Sequence, residues 1–295
     1  MYFAHGLRIV SELACPAVTI DHGQPDVHIG YGPVAPTLPN PAIRGAFYEA
    51  TPTEFVFNIE GTARFHVRGG TTITIDRHPS ATDRDLHAFL FGSVFAELIH
   101  QRNGLSLHAS SFATDRGGVL FAGHSGLGKS TLCAAMVKRG HRLLSDDLST
   151  ITADGDHVPH VHAGLPQLRL WSDAVARLGY SSEHAVPVRK DIGKFIVPVD
   201  PVFAAASKPI AGIFVIGLAK GDEWSIDRCV GADRLRALKT HTFGYRILTA
   251  NGKAAVHFRL GALVSAACPM FRILRPRGPF DINPLLDRIE RTIAA

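Results

Sequence analysis

Cysteine is scarce. Cys15, Cys133, Cys229 and Cys268 stand far apart in a chain of 295 residues, with no C-x-x-C pair among them. That spacing excludes a disulfide framework and a cysteine-built zinc site, and fits thiols kept reduced. Long apolar runs are also missing, the best being Pro209–Ala219, well short of the roughly 18 residues a membrane-crossing helix needs. The opening MYFAHGLRIVSELAC has no basic leader and is interrupted by Glu12, so no export signal is expected and the chain reads as cytoplasmic. Basic residues exceed acidic ones by only five, without a Lys/Arg block or a basic stripe interleaved with aromatics. Nucleic-acid binding is therefore not expected, whereas a phosphate-bearing small ligand or an acidic peptide satisfies the same charge.

What remains is ordinary globular composition, 46% apolar and 19% charged, in a length that accommodates two domains. From Met1 to about Arg77 the pattern is strand-like. Apolar and polar residues alternate over 54–59, and 63–67 and 71–75 flank a Gly69-Gly70 turn. The stretch containing Pro33, Pro36, Pro39 and Pro41 reads as loop or edge. Residues 83–101 place Leu86, Phe89, Leu90, Val94, Phe95 and Leu98 at helical spacing, predicting one amphipathic helix capped by Thr82 or Asp83 and ended by Asn103-Gly104. We therefore divide the chain into a β-rich unit over 1–102 and a second domain over 103–295. In the second domain strands are predicted at 105–112, 119–122 and 142–145, with a helix at 129–139. Further strands follow at 167–170, 195–199, 210–218, 224–230 and 271–274, and helices at 172–178, 232–239, 261–267 and 283–293. This is an α/β pattern.

One motif carries chemistry directly. Gly123-His124-Ser125-Gly126-Leu127-Gly128-Lys129-Ser130 fits G-x-x-x-x-G-K-S between an apolar strand and a helix. Its glycines let successive backbone N–H groups turn inward on phosphate oxygens, and the helix N-terminus adds partial positive charge. Lys129 is placed to meet the β- and γ-phosphates and the Ser130 hydroxyl to ligate Mg²⁺, so the expected ligands are ATP and Mg²⁺. Ser145-Asp146-Asp147 follows the helix after one short strand. An isolated Asp-Asp pair is as readily a turn, but beside a P-loop one carboxylate can face the metal while the other accepts a proton. His108, on the neighbouring strand, is by itself more often a packed residue than a functional one. His157, His160 and His162 lack a completing carboxylate or thiolate, so an exposed hairpin is preferred over a metal site.

Together, Leu107-His108-Ala109-Ser110, the run Gly118 to Thr131 and Arg139 to Asp147 resemble the catalytic domain of HPr kinase/phosphorylase. The resemblance extends over about Gly104 to Leu274. It implies the P-loop fold shared with phosphoenolpyruvate carboxykinase and phosphorylation of a protein serine. By the same resemblance Asp147 is the general base, Asp146 a Mg²⁺ partner, and His108 a group near the transferred phosphate, with Thr131 closing the nucleotide loop. Where that family has Glu-x-Arg, this chain has Gln167-Leu168-Arg169, so loss of the phosphorylase activity is expected. The Pro-Gln-Leu-Arg-Leu-Trp segment and the β-rich front end look closer to kinases of lasso-peptide and related ribosomal peptide biosynthesis. Those enzymes modify a C-terminal serine of the precursor. Gln167, Arg169, Arg189, Lys190, Lys194 and Arg246 are the substrate-binding candidates, and the basic segment 187–195 is expected to form a mobile lid. The expected partners are a serine-containing peptide or a small carrier protein, and a homo-oligomer. The alternatives are a bifunctional kinase/phosphorylase and a non-catalytic nucleotide-binding regulator. A metabolic carboxykinase conflicts with the chain length.

Overall fold

The computed structural model of the chain describes all residues except 21, 182–184, 190, 191, 279 and 295. Strands between Tyr2 and Arg77 form one nine-stranded sheet. Its hairpin of Ala63–Arg68 and Thr72–Arg77 turns at Gly69 and Gly70, with φ of +57° and +65°. Those left-handed values explain the paired glycines. Ala63–Arg68 alternates buried and more open side chains, as a strand with one covered face must.

The predicted single amphipathic helix is instead two helices, Asp83–Phe89 and Phe95–Gln101, joined by a π-helical turn over Leu90–Val94. Gly92 absorbs the bend with φ −129° and ψ −106°. Thr82 is the cap: its side chain accepts the Asp85 N–H, and the Asp85 carboxylate accepts the Thr82 N–H. The second helix is buried on every face from Phe95 to His100, because it is packed between strand Ala63–Arg68 and strand Leu105–Leu107. Periodicity cannot show that second covering layer.

The rest of the chain is the mixed α/β structure the sequence predicts. At its centre the P-loop strand, Gly117–Gly123, is buried throughout and pairs in parallel with Lys208–Leu218, which pairs in parallel with Met270–Arg275. A helix, Lys129–Lys138, follows the P-loop strand and stops before Gly140, whose φ is +102°. The strand expected over 105–112 is two strands that part at His108. Leu105–Leu107 pairs with Ser149–Ala153, and Ala109–Thr114 with the P-loop strand. Where the chain changes partner, the His108 N–H donates to the His241 carbonyl at 2.8 Å. A small third sheet sets Gln167–Trp171 against Ile192–Pro198, which pairs in turn with Val186–Arg189. The basic segment expected as a lid falls on the paired strands Val186–Arg189 and Ile192–Pro198, whose register shifts between Pro187 and Arg189, and its Lys190 and Asp191 lie outside the described residues. Among the described residues no helix is long and apolar enough to cross a membrane.

Candidate active site

The loop after Gly123 owes its shape to glycine at defined points. Gly126 and Gly128 have φ of +81° and +93°, and a Cβ on Gly123 would come within 3.1 Å of the Ile216 carbonyl oxygen. Gly128 caps the helix, so the N–H groups of its first turn, which have no partner inside a helix, face the loop's concavity. Lys129 is buried and its Nζ donates to the His124 carbonyl at 3.2 Å. Burial lowers its pKa, with Asp147 and Asp146 pulling the other way. Arg275 braces the loop from outside, its Nε donating to the Leu127 carbonyl at 2.9 Å.

The two aspartates diverge. Asp146 turns back into the protein, accepting the Ser110 hydroxyl on Oδ1 and the Arg169 backbone N–H on Oδ2 at 2.6 Å. Asp147 sits in the left-handed region at φ +74°, which swings its carboxylate towards the P-loop. There Arg169 Nη1 donates to Oδ2 at 2.9 Å and His108 Nε2 lies 3.4 Å from Oδ1. Burial pushes the Asp147 pKa up, but the His108 hydrogen bond and the charges of Arg169 and Lys194 outweigh it and hold the carboxyl well below its ordinary value.

One cavity gathers His108, Lys129, Asp147, Arg169 and Lys194 along with the loop from Ser125 to Thr131. Eleven lining positions were expected from the motif or its position, or from the basic run: the loop Ser125 to Thr131, with His108, Asp147, Arg169 and Lys194. Asp146, expected at the metal, is half-buried, is not in the cavity lining, and bonds Ser110 and the Arg169 backbone. Gly123 is the buried end of the strand, and His124 stands beside the His241 ring, 5.1 Å between centroids. Gln167 begins the strand but is not in the cavity lining, and Arg246 is exposed on the short helix Tyr245–Ala250, also outside it. Arg189 ends the hairpin's outer strand, its side chain outside the described residues together with all of Lys190. His162 bonds the Thr152 hydroxyl at 2.7 Å, and no three-ligand metal cluster occurs among the described residues.

Three contributors escaped the sequence reading. His241 supplies the carbonyl that positions His108, and its own pKa is lowered to about 4 by burial and by the nearby His124 and Lys129. Arg275 and Trp171 are also in the lining. No spacing rule reaches them, since each comes from a segment remote from the P-loop.

Residues 103–163 match the family described as HPr Serine kinase C-terminal domain. An HPr kinase/phosphorylase of Prosthecochloris aestuarii is 33% identical over 91 residues, 31% of this chain and 25% of that protein. The chain thus matches about a quarter of the length of this curated relative. The solved HPr(Ser) kinase/phosphatase from Coxiella burnetii aligns over 63% of this chain and 90% of its own, with 14% identity and a TM-score of 0.32.

Proposed function

An HPr kinase-like domain carries the P-loop of this chain, and we propose that the chain is an ATP- and Mg²⁺-dependent serine kinase. The observation behind this reading is that the Asp147 carboxylate faces the same cavity as Lys129, held there by His108 and Arg169. The residues fit a magnesium nucleotide. Left-handed glycines open the loop for phosphate, Lys129 carries a cation into it, and Ser130 lines it with a hydroxyl. Mg²⁺ is commonly held by only one or two protein groups, with phosphates and water completing its shell. When bound it offsets charge on the phosphate oxygens.

In the transfer itself the serine oxygen attacks the γ-phosphorus in line, the bond to the β-phosphate oxygen breaks, and ADP leaves. The hydroxyl proton passes to Asp147. A carboxylate held below its ordinary pKa is a weaker base, but it is ionised at neutral pH. In a loose transition state the proton leaves late, so a weak base in the right place suffices. Lys129 offsets charge on the transferring group, and His108 and Arg169 hold Asp147 in line.

The acceptor is a serine of a small protein or of a ribosomal precursor peptide, with the lasso-type C-terminal serine favoured. Lys194 and Arg169 in the lining suit an acceptor that bears a carboxylate. A bifunctional kinase/phosphorylase is the second reading. It is favoured by the position of Gln167, since an amide outside the cavity removes no charge from it. Incubation with Mg-ATP, a small phosphocarrier protein and a serine-terminated peptide, read by mass spectrometry, tests the proposal. Phosphate should appear on serine and be lost with Lys129→Ala. Retained Mg-ATP binding with transfer to no serine acceptor would support the non-catalytic regulator instead.

A further inference from the structure

The cavity has an aromatic side that the phosphoryl chemistry does not use. Trp171 is 46% exposed although it ends a strand whose Leu168 and Leu170 are buried, and it lines the cavity with the half-buried Phe280 and Ile282. A large apolar surface left open inside a polar cavity marks a ligand contact better than a packing accident. Its position is specific. Arg169 and Trp171 share a face of one strand, so Trp171 lies about 7 Å beyond the residue that holds Asp147.

The strand and the helix after it, Ser172–Arg177, run along the flank of the P-loop helix. There the Tyr180 hydroxyl donates to the Ala134 carbonyl at 3.3 Å, and Lys138 Nζ donates to the Gly179 carbonyl at the same distance. Asp147 and Lys129, Thr131 and Leu132 of the helix's first turn, and Trp171 and Phe280 all line this one cavity. With the terminal phosphate at Lys129 and Asp147, the aromatic side of the same lining is the part left to receive a base.

We infer that the nucleobase stacks on Trp171, with Phe280 and Ile282 completing an apolar base site. The inference rests on the kinase reading above and adds the contact that distinguishes a nucleotide from bare polyphosphate. Stacking on a π-face is tolerant of base identity, so Trp171 contributes affinity for nucleotides generally rather than a strict choice of ATP.

Calorimetric titration of the full chain with Mg-ATP and with Mg-tripolyphosphate separates the two ideas. Trp171→Ala should weaken Mg-ATP by roughly 5- to 100-fold, the range found when a stacking aromatic is truncated, while tripolyphosphate affinity stays unchanged. Trp171→Phe should recover most of the loss. Because the side chain stands open, the fold does not depend on it, and an unaltered melting temperature checks this. Equal loss for both ligands, or unchanged Mg-ATP affinity with a raised KM for the acceptor, would overturn the base site, the latter assigning Trp171 to the acceptor. In either case loss of both ligands in Lys129→Ala would leave the P-loop assignment standing. Failure of the wild-type chain to bind Mg-ATP would remove the kinase reading and the base site together.

Discussion

The wall behind the P-loop cavity and the face that opens into it are built from neighbouring residues to opposite ends. On the wall, Asp146 spends its oxygens on Ser110 and on the Arg169 backbone, and Ser149 donates its hydroxyl to the Ala109 carbonyl at 3.0 Å. On the open face, Asp147 is held, among the described residues, by groups that can also bind phosphate: His108, Arg169 and, through space, Lys194. Arg169 belongs to both, its backbone fixed to one aspartate and its guanidinium lent to the other. A rigid wall thus positions an open face whose contacts can be exchanged when substrate arrives. Two adjacent carboxylates meet different partners, and the second of them, Asp147, carries the left-handed φ of +74°.

The largest effect should come from the open face. Asp147→Asn keeps the shape and the left-handed backbone, which Asn tolerates, but cannot take the serine proton. The turnover rate should fall by about 10² to 10⁴ while Mg-ATP affinity, measured by calorimetry, changes little. Turnover near wild type in this variant would move the base to His108 or Asp146 and erase the distinction between wall and face.

How far the sequence carried this comparison depends on the kind of signal each residue gives. The P-loop was legible because its glycines, Lys129 and Ser130 form a local pattern whose geometry the strand and helix then enforce. The sequence separated Asp147 from Asp146 only through the family resemblance, as base and metal partner, and the backbone angle that sends their carboxylates to different partners was not legible. Ser149–Ala153 was not among the predicted strands, its Ser149, Thr150 and Thr152 giving no apolar run, yet Ser149 and Thr150 are fully buried and hydrogen-bonded. His241, Arg275 and Trp171 enter through tertiary pairing, which no window of sequence contains. The order of the N-terminal sheet was likewise hidden, since Val27–Tyr31 lies parallel to both Leu7–Ser11 and Thr72–Arg77, its neighbours across long connections.

A smaller effect, of a different kind, is expected on the wall. Asp146→Ala strands the Ser110 hydroxyl and the Arg169 N–H, and each buried donor left without its acceptor costs about 1–3 kcal/mol. Denaturant unfolding should register a loss of roughly 2–5 kcal/mol on the same principle, with activity falling through misplacement of Arg169. If stability holds to within about 0.5 kcal/mol, as for an ordinary surface change, and only the Mg²⁺ dependence of turnover shifts, Asp146 is a metal ligand on the open face and the wall has been drawn in the wrong place.

The smallest effect tests the edge of the open face. Gln167 stands two residues before Arg169 on the same strand, paired with Pro198 at the strand's start, and is not in the cavity lining. The family resemblance made it a key departure, an amide where a carboxylate would support phosphorolysis. Its position argues otherwise, because a charge outside the cavity is screened by solvent and touches neither phosphate nor Asp147. Gln167→Glu should therefore change the forward rate by no more than about twofold, the scale of an unremarkable surface substitution. It should also leave pyrophosphate release from phosphoserine product and inorganic phosphate at its wild-type level, whatever that level is. An increase in that release of tenfold or more would place residue 167 inside the working face, and would mean that the direction of the reaction is set at this strand's start, not at Asp147.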